Sequence, residues 1–134
     1  MNLETQSFNH DVYWEETYGY SQALKVGDTI YISGQLAHDQ DGNLIGEGDY
    51  ALQIKTTFDQ LDKILNHFGA TRNQIVEDTV MMVGLREHFA ATAEAHKAYF
   101  GDHRPTSTSL GVVELAIPGQ LVEIAAVVRL DVKG

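Results

Sequence analysis

The chain has 134 residues, 43% of them apolar and 21% charged, which suits one folded domain rather than a disordered segment. With 9 Lys+Arg against 19 Asp+Glu the formal net charge is −10, so there is little to neutralise phosphates and nucleic acid is not an expected partner. The absence of Cys excludes disulfides, thiolate metal sites and cysteine nucleophiles, and no apolar run is long enough to span a bilayer. Met1 to His10 is polar and lacks the basic-then-apolar order of a signal peptide. The expectation is a cytoplasmic single domain over residues 1–134, with 1–17 as an N-terminal extension.

The first ordered stretch is Gln22 to Leu36, broken by Gly27-Asp28, a hairpin turn signal. After the turn, Ile30 and Ile32 point to one face of a strand, and Tyr31, Ser33 and Gln35 to the other. Asp39 to Gly48 reads as loop, with a turn at Asp41-Gly42. Asp49 is placed to cap a helix running to Phe68, in which Ile54, Phe58, Leu61, Leu65 and Phe68 form one apolar stripe; Gly69 is suited to stop it. Thr71-Arg-Asn-Gln74 has capping-box spacing. A strand over Asp78–Leu85 is followed by a second helix over His88–Phe100, with Phe89, Ala93, His96 and Phe100 on one face. Two more strands, Ser107–Leu115 and Leu121–Val132, flank a turn at Pro118-Gly119.

The order β-β-α-β-α-β-β predicts an α+β fold whose two helices cover one face of a sheet. Val122, Ile124, Ala126, Val128, Leu130 and Val132 supply an unbroken apolar core face on the last strand. Its reverse face includes Leu121, Ala125 and Val127, too apolar a set for bulk water, which predicts contact with other subunits. By parity, Ser33 and Glu123 share that second face, provided neither strand contains a bulge.

Several motifs fall short of a specific site. The six His residues (10, 38, 67, 88, 96 and 103) contain no metal-ligand spacing, so no metal site is expected. His96, on the apolar helix stripe, reads as a hydrogen-bonded core or subunit residue, and Trp14 with Tyr13 and Tyr18 as a packing cluster. Asp39-Gln-Asp-Gly-Asn43 lacks the glycine and glutamate positions of a calcium loop and reads as a turn. Ser33 is not set in a G-x-S-x-G elbow, so binding rather than attack is its expected role.

Gly19-Tyr-Ser-Gln-Ala-Leu-Lys-Val-Gly-Asp28, Ile30-Tyr-Ile-Ser-Gly-Gln35, Arg104-Pro105, Pro118 and Leu121-Val-Glu-Ile124 together resemble the YjgF/Rid family, which includes RidA and members labelled endoribonuclease L-PSP or translation inhibitor. The resemblance runs from about Tyr18 to Val132. It implies a chorismate-mutase-like fold and a homotrimer whose sheets form a central barrel. It also implies a small-molecule cleft between neighbouring subunits, with no cofactor. The reaction it implies is hydrolysis of a reactive enamine or imine, such as 2-aminoacrylate, to a keto acid and ammonia.

On the matching positions, the resemblance makes Glu123 the residue that positions water and Tyr20 the pocket tyrosine. Ser33 and Gly34 become the strand contact to ligand. From the residues alone, Glu123 also reads as an ion-pair partner, for instance of Arg129, and Tyr20 as an aromatic spacer. The family's arginine, two residues after the proline, is replaced by Ser107, and its helix asparagine falls at Ala93. Loss of such a fork weakens carboxylate binding by roughly one to two decades unless another cation replaces it. Arg104 is the nearest cation in sequence. Three readings follow: a deaminase-type hydrolase, a non-catalytic metabolite-binding trimer, and, opposed by the acidic charge, a ribonuclease.

Overall fold

In the computed structural model, which describes residues 2–134, the chain opens with β1 (Thr5–Phe8) and a short helix α1 (Trp14–Tyr18). Next come β2 (Ala23–Val26), β3 (Thr29–Gln35) and the long helix α2 (Tyr50–Phe68). A 3₁₀ turn (Arg72–Gln74), β4 (Ile75–Val83), α3 (Leu85–Phe100), β5 (Thr106–Val112) and β6 (Val122–Arg129) complete it. The six strands make one sheet in the order β1-β2-β3-β6-β4-β5, antiparallel except for β4–β5, whose parallel pairing requires the α3 crossover.

Local chemistry explains the helix limits. The Asp49 carboxylate accepts from the Leu52 N–H at 3.1 Å, and Gly69 ends α2 in left-handed backbone at φ 67°. Ile54, Phe58, Leu61 and Leu65 are buried as their spacing requires, with Phe68 packed at the edge. Thr71 and Gln74 close the capping box reciprocally. Full burial of side chains such as Ile64 and Leu61 contributes roughly 1.5–3 kcal/mol each, so α2 is held mainly by its inner face.

The fold departs from the sequence pattern in several places. Thr5–Phe8 lies inside the expected N-terminal extension yet forms an edge strand on β2; its polar, non-alternating residues give no strand signal. The fourth strand starts at Ile75, and its helix starts at Leu85 because Gly84 turns the chain at φ 76°. The expected inward stripe of α3 is rotated: Thr92, Tyr99 and Phe100 are buried, whereas Phe89 is exposed and Ala93 faces solvent with it. The last strand ends at Arg129, where Val132 N–H turns back to the Arg129 carbonyl, so Val132 is exposed and outside the core face.

Val122, Ile124, Ala126 and Val128 are buried under α2, while α3 packs over β4 and β5. The reverse face carries Glu123, Ala125 and Val127, each half-buried, and Tyr31, which is 53% exposed; among the described residues no element covers it. β3 does contain a bulge, between Ile32 and Gln35. It turns Gln35, expected on the outer face, into the core, where it pairs with Ile124 and is 1% exposed.

Candidate functional site

Glu123 rises from β6 onto the uncovered face, three residues after Gln120, whose own side chain is buried. The Gln120 carboxamide donates to the Val122 carbonyl at 3.1 Å and to Glu123 Oε1 at 3.3 Å, so one buried amide steadies the carboxylate. Burial pushes the Glu123 carboxyl above its ordinary value, and the Gln120 hydrogen bond opposes that only in part. Among the described residues, no Lys, Arg or His forms an ion pair with it. Arg129, the partner suggested by sequence, instead forks onto Asp131 at 2.6 and 3.0 Å.

The β3 bulge delivers Gly34 directly beneath this carboxylate. A Cβ built on Gly34 would lie 2.5 Å from Glu123 Cδ and 2.7 Å from its Cγ, so a larger residue here would have to displace the acid from this position. Beside it, Ser33 donates its hydroxyl to the Ser21 carbonyl at 2.8 Å, and its N–H bonds the Gln22 carbonyl at the same distance. The hydroxyl keeps its acceptor lone pairs. Next along the chain, the Tyr20 hydroxyl accepts from Gln22 Nε2 at 3.0 Å. Burial first, and the Glu15 charge second, raise the Tyr20 phenol above its usual value, and the Glu123 charge contributes in the same direction. Gly34 thus meets Glu123, Ser33 adjoins Gly34 on β3, and Tyr20 lies on the segment before β2 to which Ser33 bonds, within range of the Glu123 charge.

Ser107 and Arg104 lie elsewhere. Ser107 pairs with Asp78 across β4–β5, on the helix side of the sheet, and its hydroxyl donates to Asp78 Oδ1 at 2.5 Å. Asp78 is 2% exposed, and its other oxygen accepts from His96 Nε2 at 2.6 Å. A carboxylate only accepts, so that imidazole nitrogen carries the hydrogen. A groove of about 440 Å³ opens over this trio, lined by Phe89, Ala93, His96, Lys97, Arg104 and Ser107 among others. Arg104 folds back on its own loop, donating to the carbonyls of Gly101 and, at 3.0 Å, His103. A single chain therefore does not bring Ser107 or Arg104 to Glu123; the sheet separates them.

Sequence reasoning missed Gln120 and the Asp78–His96 pair. Gln120 stands at helical distance from Glu123 but in a turn, where spacing carries no directional meaning. Asp78 falls in an apolar alternation that a second bulge, between Ile75 and Glu77, resets so that the carboxyl points inward. Trp14 packs edge-on against His38 at 4.9 Å and Tyr13 at 5.5 Å, the packing role expected of it. No helix of the described residues is long and apolar enough to cross a membrane, and they contain no cluster of acidic and His side chains arranged to hold a metal.

Comparison with known proteins gives these clusters a context. A RutC family protein of Pyrococcus abyssi is 34% identical over 108 residues, covering 81% of this chain and 84% of that protein. The mouse 2-iminobutanoate/2-iminopropanoate deaminase is 34% identical over 109 residues, covering 81% of this chain and 78% of its own. Among solved structures, a YjgF/YER057c/UK114 family member from Mycobacterium tuberculosis superposes with a TM-score of 0.84 at 25% identity, covering 94% of this chain and 99% of that one. RidA from an Antarctic Psychrobacter gives 0.75 at 32% identity, over 82% and 87% of the two chains. The family model described as Endoribonuclease L-PSP matches residues 14–130. The chain belongs to that family, whose members also carry the names RutC, YjgF and RidA.

Proposed function

We propose that the protein hydrolyses small reactive enamines or imines to carbonyl compounds and ammonia, without a cofactor. The observation that carries this reading is Glu123: a half-buried carboxylate without a cationic partner among the described residues, tethered by Gln120 and lying over the bare backbone of Gly34. An ion-paired surface acid has no need of such a setting. The deaminase names of relatives at 32–34% identity support the same reaction class.

The chemistry needs only these groups. An enamine first tautomerises to the imine. Water oxygen then adds to the C=N carbon while Glu123 takes the water proton and returns it to nitrogen, giving a carbinolamine. Glu123 next carries the hydroxyl proton to the amine, so that ammonia leaves as the C=O bond forms. Tyr20 and Ser33 hold the ligand against the carboxylate, and confinement supplies much of the rate. The reading includes a homotrimer, in which the Glu123 face of one subunit meets the α3–β5 groove of the next. Ser107 and Arg104 would then reach a ligand from the neighbouring chain. The uncovered apolar sheet face supports that assembly.

Ammonia release from freshly generated 2-aminoacrylate and from bulkier imines tests the reaction, in wild type and Glu123→Gln. Turnover that drops by two or more decades in the variant is the expected result, in line with loss of a general base. Equal rates, or none with any imine, would remove the proposal.

A second reading, binding without chemistry, is favoured by one observation. The Ser107 hydroxyl is already committed to Asp78, at the position where the resemblance implies an arginine in the family's deaminases. Native mass spectrometry separates the two: a metabolite recovered unchanged from the trimer favours binding.

A further inference from the structure

Two glutamines in the family-like motifs, Gln22 and Gln35, take no part in the proposed chemistry, yet both side chains are almost fully buried, at 2% and 1% exposure. They form the middle of a continuous chain of hydrogen bonds. His10 Nε2 meets Gln35 Oε1 at 2.7 Å, Gln35 Nε2 reaches Gln22 Oε1 at 2.9 Å, and Gln22 Nε2 reaches the Tyr20 hydroxyl at 3.0 Å. The chain leads from the N-terminal segment, through the bulge of β3, to Tyr20, whose phenol feels the Glu123 charge.

Its direction is fixed by a group outside it. Gln35 Nε2 also lies 3.0 Å from the Ser33 carbonyl, which can only accept, so the NH₂ of Gln35 must stand on that side. The Gln22 oxygen must then face Gln35, and the Gln22 NH₂ must face Tyr20. At the other end, Gln35 presents its oxygen to His10, which requires the Nε2–H tautomer there. Burial holds His10 below the usual imidazole range, so its ring is neutral and has one hydrogen to place.

His10 is itself anchored. The half-open segment carrying it is tied to α1 by the buried Glu15, whose carboxylate accepts from the N–H groups of His10 at 2.8 Å and Asp11 at 3.1 Å. Gln40 holds the His10 carbonyl at 2.6 Å, and the ring packs edge-on against Phe8 and His38. Residues outside the core repeat of strands and helices therefore determine what the far end of the relay does.

We propose that His10, Gln35 and Gln22 are positioning residues for Tyr20: they occupy the acceptor side of its hydroxyl and leave the O–H as a donor aimed at the cleft. The ligand atom that meets Tyr20 is then an acceptor, such as an imine nitrogen or a carbonyl or carboxylate oxygen, and a ligand offering only donors there is rejected. The inference rests on Tyr20 being a cleft residue, as read above, but its test does not require turnover.

Two measurements decide it. In wild-type protein, a long-range ¹H–¹⁵N spectrum of the His rings, with His10 assigned through His10→Ala, is expected to show the Nε2–H tautomer. An Nδ1–H tautomer overturns the relay, and this result does not depend on any variant folding. In protein labelled with 3-fluorotyrosine, whose phenol titrates at lower pH than tyrosine's, Gln22→Leu is expected to raise the Tyr20 midpoint by roughly half a unit to one unit, since the lost donor favoured the phenolate. The other tyrosines should not move. An unshifted Tyr20 signal overturns the proposal even if the protein is an active deaminase. A shifted signal in a protein with no imine turnover leaves the relay standing and removes only the activity.

Discussion

Gly34 and Glu123 share one space: the position that a side chain on residue 34 would fill is occupied by the carboxyl group of residue 123. The bulge in β3 creates this overlap by pushing the Gly34 backbone toward the β6 side chain. Gly34→Ala must therefore displace Glu123 or strain the bulge. Overpacking of this kind costs about 1–3 kcal/mol, readable in urea unfolding, and imine turnover should fall nearly as far as in Glu123→Gln. Repeating Gly34→Ala on a Glu123→Ala background isolates the contact. With the acid removed most of the penalty should vanish, and equal penalties in both backgrounds would place the strain elsewhere.

The raised pKa of Glu123 has two consequences of opposite sign for rate and stability. Its folded value lies above the unfolded one, near 4.5, so the folded state binds the proton more tightly. Stability therefore falls as pH rises from the unfolded to the folded value, and the penalty stays constant above it. Glu123→Gln should match wild type in thermal melts at pH 4 and become the more stable protein toward pH 7. In activity, the acid limb of kcat/KM should report a midpoint above that of an ordinary glutamate, because the base must be ionised. A melting difference that shrinks with rising pH would contradict the assigned shift.

Asp78 tests the helix side of the sheet. Its two oxygens serve Ser107 and His96, and it is almost wholly removed from water. Asp78→Asn keeps the shape but loses a charge-assisted partner, with an expected cost of roughly 1.5–3 kcal/mol in chemical denaturation. Removing an exposed pair such as Lys55–Asp59 should cost less than about 1 kcal/mol by the same measurement. Similar losses at both places would mean that the buried trio contributes no more than a surface ion pair.

Much of this was legible in the sequence because it is local. The Asp49 cap, the Gly69 stop and the Thr71–Gln74 box are each written within a few residues, and each forms. Parity held for Ile30 and Ile32, both buried, and its condition of an unbulged strand failed just beyond them, because the bulge takes in Ser33 and Gly34. At Gln35 the extra residue reverses the face. The early strand and α1 were illegible for a different reason. Thr5–Phe8 is stabilised by pairing with β2, far along the chain, and α1 by Glu15 capturing the backbone that precedes it. The relay through Gln22 and Gln35 was visible only as motif letters; its direction depends on one backbone carbonyl.

The uncovered sheet face gives the remaining prediction. Tyr31 pairs across the strands with Val127, and Ala125 lies beside them, so an apolar band crosses the middle of β3 and β6 with nothing over it. Each square ångström of such surface removed from water stabilises by roughly 25 cal/mol, enough over a subunit interface to hold an assembly together. Sedimentation of the wild-type protein at micromolar concentration should give a trimer. Val127→Glu places a charge in the band and should yield monomers that still melt cooperatively, since the residue lies outside the helix-covered core. If the cleft is shared between subunits, those monomers should release no ammonia although Glu123 and Tyr20 are intact. A folded monomer with full turnover would show that one chain carries the whole site.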